Sequence, residues 1–128
     1  MQNRKRVFVV EDDAGTLRAI ERLLRQHGYE SVLFPSAEAF EDHVDFQGAL
    51  CVLFDINLNG GRSGIELRYR LKDSGHTVPV IYMTGNDQPA VHRAAFESGC
   101  LACLIKPFSA KSLIRPIERA SEWVQSSG

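Results

Sequence analysis

Five short, mainly apolar runs punctuate the chain, and between them apolar positions return every three or four residues. The runs read as strands over roughly 6–11, 30–34, 50–55, 79–83 and 102–105, being short, rich in β-branched or aromatic residues and bounded by turn formers or acids. The intervening segments read as helices. Leu17, Ile20, Leu23 and Leu24 make an apolar stripe, and Gly28 follows it where a left-handed residue ends a helix. Ser36 is placed to cap a second helix carrying Ala37, Ala39, Phe40 and Val44. Leu67 and Leu71 mark a third after Gly64, and Pro89 opens a fourth, preceded by Asp87 or Gln88 and running through Val91, Ala94 and Ala95 to Gly99. Ser109 opens a fifth, with Leu113, Ile117, Ala120 and Val124 at core spacing.

Alternating strands and helices define an α/β domain, and right-handed crossovers turn five βα units into a doubly wound, five-stranded parallel sheet covered on both faces. With 128 residues and 44% hydrophobic content the chain suits one domain, its core over about 6–124 and its ends loose over 1–5 and 125–128. A net charge of −1 argues against broad binding to nucleic acid or an anionic membrane, since both need a basic surface. The basic start Met1 to Arg6 lacks the apolar region of a signal peptide, no stretch is long enough to span a bilayer, and three cysteines cannot all pair internally. A reducing, cytoplasmic setting is expected.

In doubly wound sheets ligands sit beyond the carboxyl ends of the strands, at the switch in strand order. Four polar strand tips fall at that end: Glu11-Asp12-Asp13, Asp55, Thr84 and Lys106. An acid cluster, a lone acid, a hydroxyl and an amine meeting there make a metal-assisted phosphoryl-transfer constellation. In this order, Val-Val-Glu11-Asp12-Asp13, Phe-Asp55-Ile-Asn57-Leu, Met-Thr84-Gly85 and Lys106-Pro107-Phe108 resemble the response-regulator receiver domains of two-component signalling, which have the flavodoxin-like fold. The resemblance covers Val7 to about Trp123.

The resemblance implies that Asp55 accepts a phosphoryl group from a histidine kinase or a histidine phosphotransfer protein, with one Mg²⁺ and no nucleotide. Such a domain promotes its own phosphotransfer and dephosphorylation rather than acting as an enzyme on other substrates. Mg²⁺ would be held by Asp12, Asp55 and the carbonyl of Asn57, with Glu11 acting through a water, and Thr84 and Lys106 would stabilise the phosphoryl group. These types suit the chemistry. Mg²⁺ prefers oxygen donors and keeps waters, lysine is a compact cation, and threonine donates a hydrogen bond. Only two of Glu11, Asp12 and Asp13 belong to the matching pair; Glu11 and Asp12, directly after the strand, are favoured. Output would pass to a downstream protein or to a linked domain outside this chain, with a homodimer also open. The resemblance suggests a cis Lys106-Pro107 peptide as well.

Three departures from the family pattern stand out. Asn59 occupies a position where proline is common, in a loop one residue longer than the shortest version, so this loop is expected to be more mobile. Cys103 stands three residues before Lys106, where the family usually has an aromatic that swings inward, so signalling is expected to run without that rotamer change. Pro116 falls inside the last helix, where it removes the bond to Ser112 and is expected to kink the chain.

The same residues also admit other roles. A lone strand-end aspartate more often closes a turn, Asp13 suits a helix N-terminus, Thr84 a cap, and Lys106 the surface. Cys100-Leu101-Ala102-Cys103 runs into a strand rather than a helix, which favours small core residues over a redox or metal pair. Asn57 cannot protonate a leaving group as the second acid of an aspartyl-phosphate hydrolase would, and Asn59 to Gly64 lack the P-loop ending. His27, His43, His76 and His92 are scattered without metal spacing and are expected to face solvent. The serious alternative is a receiver-like protein-binding module that works without phosphorylation.

Overall fold

The computed structural model describes residues 6–43, 46, 48–85 and 87–127, with the backbone alone at 59 and 123–127. Strands β1 (Arg6–Val10), β2 (Glu30–Phe34), β3 (Ala49–Asp55), β4 (Val80–Thr84) and β5 (Ala102–Ile105) form one parallel sheet in the order β2-β1-β3-β4-β5. Helices α1 (Ala14–Gln26), α2 (Ala37–Asp42), α3 (Gly64–Asp73), α4 (Pro89–Glu97) and α5 (Ala110–Ser127) alternate with the strands. The doubly wound fold expected from the pattern is the fold observed.

Alternation along the central strands splits the core in two. Val7, Val9, Cys51, Leu53, Ile81 and Met83 face α1 and α5, where Leu17, Ile20, Leu24, Leu113, Ile117 and Ala120 meet them. Phe8, Val10, Val52, Phe54, Val80 and Tyr82 face the other helices, packing with Phe40, Leu67, Leu71 and Ala95. Strands buried on both faces therefore read as near-continuous apolar runs, which is why β1, β3 and β4 were legible.

The helix ends follow their local chemistry. Asp13 caps α1 by accepting from the Thr16 N–H at 2.9 Å, and Ser36 caps α2 by accepting from the Ala39 N–H at 3.0 Å. Pro89 sits in the first turn of α4, with Gln88 as the capping position. α5 is a single helix with Pro116 in its interior, and it continues to Ser127, into the tail expected to be loose. Val44, the N-terminal residues 1–5 and Gly128 lie outside the described residues, as does the side chain of Val124.

The histidines correct the solvent-facing expectation. Only His27 is exposed, and its Nδ1 lies 2.9 Å from the Leu23 carbonyl. His43 stacks edge-on with Phe8 and Phe34 at centroid separations of 5.5 and 5.2 Å, and His76 lies 4.7 Å from Phe46. His92, also half-buried, has Nε2 3.9 Å from Asp87. An imidazole ring packs against aromatic rings, and this sheet face carries a run of phenylalanines that spacing along the chain did not connect to the histidines.

Candidate functional site at the carboxyl edge of the sheet

The switch in strand order falls between β1 and β3, so the loops leaving these two strands part to opposite faces and open a crevice. Each strand tip is fixed there by one further main-chain bond. Glu11 N–H donates to the Phe34 carbonyl at 3.1 Å, Ile56 N–H to Met83 at 2.9 Å, and Lys106 N–H to Thr84 at 2.8 Å. The side chains at the tips thus stand on ladder positions rather than on free loops.

Glu11 and Asp55 are only 1% and 5% exposed, and Thr84 is fully buried. Lys106 Nζ bridges the two acids, 2.5 Å from Glu11 Oε1 and 2.6 Å from Asp55 Oδ2. The other oxygens are also held: Asp55 Oδ1 accepts from the Asn57 N–H at 2.9 Å, and Glu11 Oε2 from the Asp13 N–H at 3.1 Å. Burial pushes the Glu11 carboxyl up to about 7, against the lowering effect of its Lys106 and Asp13 hydrogen bonds. For Lys106 burial works downward, but the hydrogen bonds it donates to Asp55 and Glu11 outweigh it, so its ammonium is held above the ordinary 10.5 and stays charged at neutral pH.

Oxygen atoms of Glu11, Asp12 and Asp55 lie within 4.8 Å of one another. Three carboxylates converging on one point, two of them withdrawn from water, form an acidic pocket whose all-oxygen donor set suits a hard divalent cation. Asp13 is not part of it. Its side chain is occupied as the α1 cap, with Oδ2 also 2.6 Å from the Thr16 hydroxyl. The structure thereby separates three adjacent acids that the sequence left in open register. Asn57 is exposed beside the pocket and pairs in an isolated bridge with Ser63.

Gly64, which the sequence places at the end of the loop before α3, has a second role. A Cβ built there would stand 2.5 Å from the Asp55 carbonyl oxygen and 2.8 Å from Phe54 Cβ, so α3 can approach the end of β3 only through a glycine. Gly64 N–H donates to the Ile56 carbonyl at 3.0 Å, which fastens that approach. Nothing in the spacing of a lone glycine foretells it.

The cysteines sit as core residues. Cys51 is buried, and Cys100 and Cys103 pack partly covered against the second core cluster, all three as free thiols. Cys103 is the register partner of buried Tyr82 on β4. Burial raises the Cys51 thiol to about 12 and Cys100 to about 11, and it raises Cys103 as well. At pH 8 native protein should therefore react slowly with a disulfide reagent at Cys100 and Cys103 and not at Cys51, while all three react in denaturant. Rapid native reaction of Cys100 and Cys103, with coupled oxidation, would instead reveal a redox pair.

The chain is thus a doubly wound α/β domain with an acidic pocket and a lysine at its switch point. Known proteins narrow that class. The response regulator receiver domain family matches residues 7–118. The transcriptional regulatory protein FixJ of Bradyrhizobium diazoefficiens is 32% identical over 120 residues, covering 94% of this chain and 58% of that protein. The response regulator protein TodT of Pseudomonas putida is 26% identical, covering 89% and 50%. Among solved structures, the crystal structure of FixJ-N superposes with a TM-score of 0.82 at 28% identity, covering 95% of this chain and 96% of that one. A receiver protein of Pseudoalteromonas atlantica reaches 0.86 at 21% identity, with 93% and 98% covered, a likeness of fold. The chain belongs to the response-regulator receiver family and is a receiver domain of two-component signalling. It spans about half the length of the curated relatives it matches. Among the described residues no helix is long and apolar enough to cross a membrane.

Proposed function

We propose that Asp55 is the phosphoacceptor, that Glu11, Asp12, Asp55 and the Asn57 carbonyl hold Mg²⁺, and that Thr84 and Lys106 stabilise the incoming phosphoryl group. The observation that carries this reading is the convergence of three carboxylates within 4.8 Å, two of them bridged by Lys106. Buried like charges are costly to keep together, and a pocket that does so is built for a multivalent cation. When bound, Mg²⁺ would neutralise the negative charge that otherwise keeps a carboxylate from approaching a phosphoryl donor.

The chain's own residues supply the rest. An Asp55 oxygen attacks phosphorus, the bond from phosphorus to the donor histidine nitrogen breaks with its electron pair going to the ring, and an acyl phosphate remains on Asp55. Asn57 N–H holds one oxygen of the acceptor, so the carboxylate is oriented before the donor arrives. Lys106 follows the charge outward onto the phosphoryl oxygens, and Thr84 donates a hydrogen bond to another of them. A histidine kinase or phosphotransfer protein is the donor. The apolar cleft of about 450 Å³ lined by Ala19, Ile20, Leu23, Pro107 and Phe108 opens beside Lys106 and gives a donor protein surface to rest on. The chain acts as one receiver unit in the cytosol, passing its state to a downstream protein or linked output domain.

Metal binding separates this reading from a module that works without phosphorylation, which has no need of a cation beside Asp55. Titration with Mg²⁺ should give saturable binding that Asp12→Asn weakens at least about tenfold. Wild-type protein that ignores Mg²⁺ would favour the module.

A further inference from the structure

We infer that Arg62 is a positioning residue, clamped by Glu41 of α2 so that the loop between β3 and α3 stays closed over the acceptor. The inference rests on the reading of Asp55 as a Mg²⁺-assisted acceptor. The loop leaves the site at Asn57, whose N–H holds Asp55, and returns at Ser63, which caps α3. Between them Gly60 and Gly61 take positive φ values of 77° and 75°, a conformation other residues rarely adopt. Two adjacent glycines leave this loop much conformational freedom, which its own main chain restrains through a 3-10 turn over Asn59–Gly61, the Leu58 N–H to Arg62 carbonyl hydrogen bond at 2.9 Å and the Asn57–Ser63 bridge.

A second restraint comes from outside the loop. Arg62 reaches across to α2, with Nη2 2.7 Å from Glu41 Oε1 and Nη1 3.4 Å from Glu38 Oε1. The second oxygen of Glu41 is taken by Arg70 of α3. Glu41 therefore stands between two guanidinium groups, one from the loop and one from α3. Arg62 and Glu41 side chains are 23% and 28% exposed, more sheltered than the ordinary surface pair whose contribution salt removes. Burial pushes the Glu41 carboxyl upward, but pairing with the Arg62 and Arg70 guanidinium groups prevails and holds it below its usual value.

A loop held in its bound shape loses less freedom when the cation and phosphoryl group arrive, so the clamp should appear in Mg²⁺ affinity rather than in stability alone. The control is Arg70→Ala, which removes a partner of the same carboxylate without touching the loop. Mg²⁺ titrations followed by amide NMR should show Arg62→Ala and Glu41→Gln each weakening binding about threefold. The double variant should be no weaker than either single one, and Arg70→Ala should match wild type. Wild-type affinity in Arg62→Ala, or an equal loss in Arg70→Ala, would overturn the clamp and leave the acceptor reading standing. Wild-type protein that neither binds Mg²⁺ nor accepts a phosphoryl group would overturn both.

Discussion

Gly64→Ala should lower stability by about 2–3 kcal/mol, and the melting temperature by about 10 °C, although alanine is the better helix former. Propensity favours alanine by no more than about 1 kcal/mol inside a helix. The steric term is larger, because the new Cβ meets the Asp55 carbonyl oxygen at 2.5 Å and Phe54 Cβ at 2.8 Å. Neither is the far end of a flexible side chain. One is main chain in β3 and the other belongs to a fully buried residue, so relief requires α3 or the tip of β3 to shift. A shift at that place displaces Asp55, so the folded fraction of the variant should also accept phosphoryl groups more slowly. Thermal unfolding of the two proteins checks the first effect. An unchanged or raised melting temperature would show that α3 does not lean on β3 through this residue.

Lys106→Ala should be the second large effect. Breaking a buried ion pair by removing one partner costs about 3–5 kcal/mol, but Lys106 is 26% exposed and water screens part of its interaction. A loss of about 2–3 kcal/mol in metal-free protein is therefore expected. Glu11 and Asp55 would be left facing each other without their common cation, and Glu11 would be driven further toward its protonated form. The raised ammonium pKa fixes the alkaline limit: the lysine's contribution is present below the ordinary 10.5 and is lost as pH rises through the higher folded value, while protonation of Glu11 below about 7 weakens the bridge from the acid side. Mg²⁺ should restore more stability to Lys106→Ala than it adds to wild type, since lysine and metal neutralise the same carboxylates. Equal stability of the two metal-free proteins would mean that the bridge contributes nothing net.

Asp55, Thr84 and Lys106 could be picked out from the sequence because a buried parallel strand is an apolar run, and a polar residue at its carboxyl end stands out against it. The same contrast placed Glu11 and Asp12. It favoured them over Asp13 by position alone, because the distinction itself depends on which acid turns to cap α1. Gly64, Arg62 and Glu41 were invisible for a different reason: their roles are contacts between elements distant in the chain, and no local pattern encodes how closely α3 approaches β3 or that α2 lies beside the loop. His43 and His76 were misplaced for the same cause. Their ring partners come from other strands and helices, so counting along the chain assigned them to solvent.

The central claim is that Asp55 accepts a phosphoryl group with the help of Mg²⁺. Intact mass of wild type and Asp55→Asn after incubation with acetyl phosphate, with and without Mg²⁺, tests it most directly. One added phosphoryl group that requires both Asp55 and Mg²⁺ is the predicted result. No gain in wild type, together with no beryllofluoride complex to indicate rapid hydrolysis, would contradict the claim, as would an equal gain in Asp55→Asn.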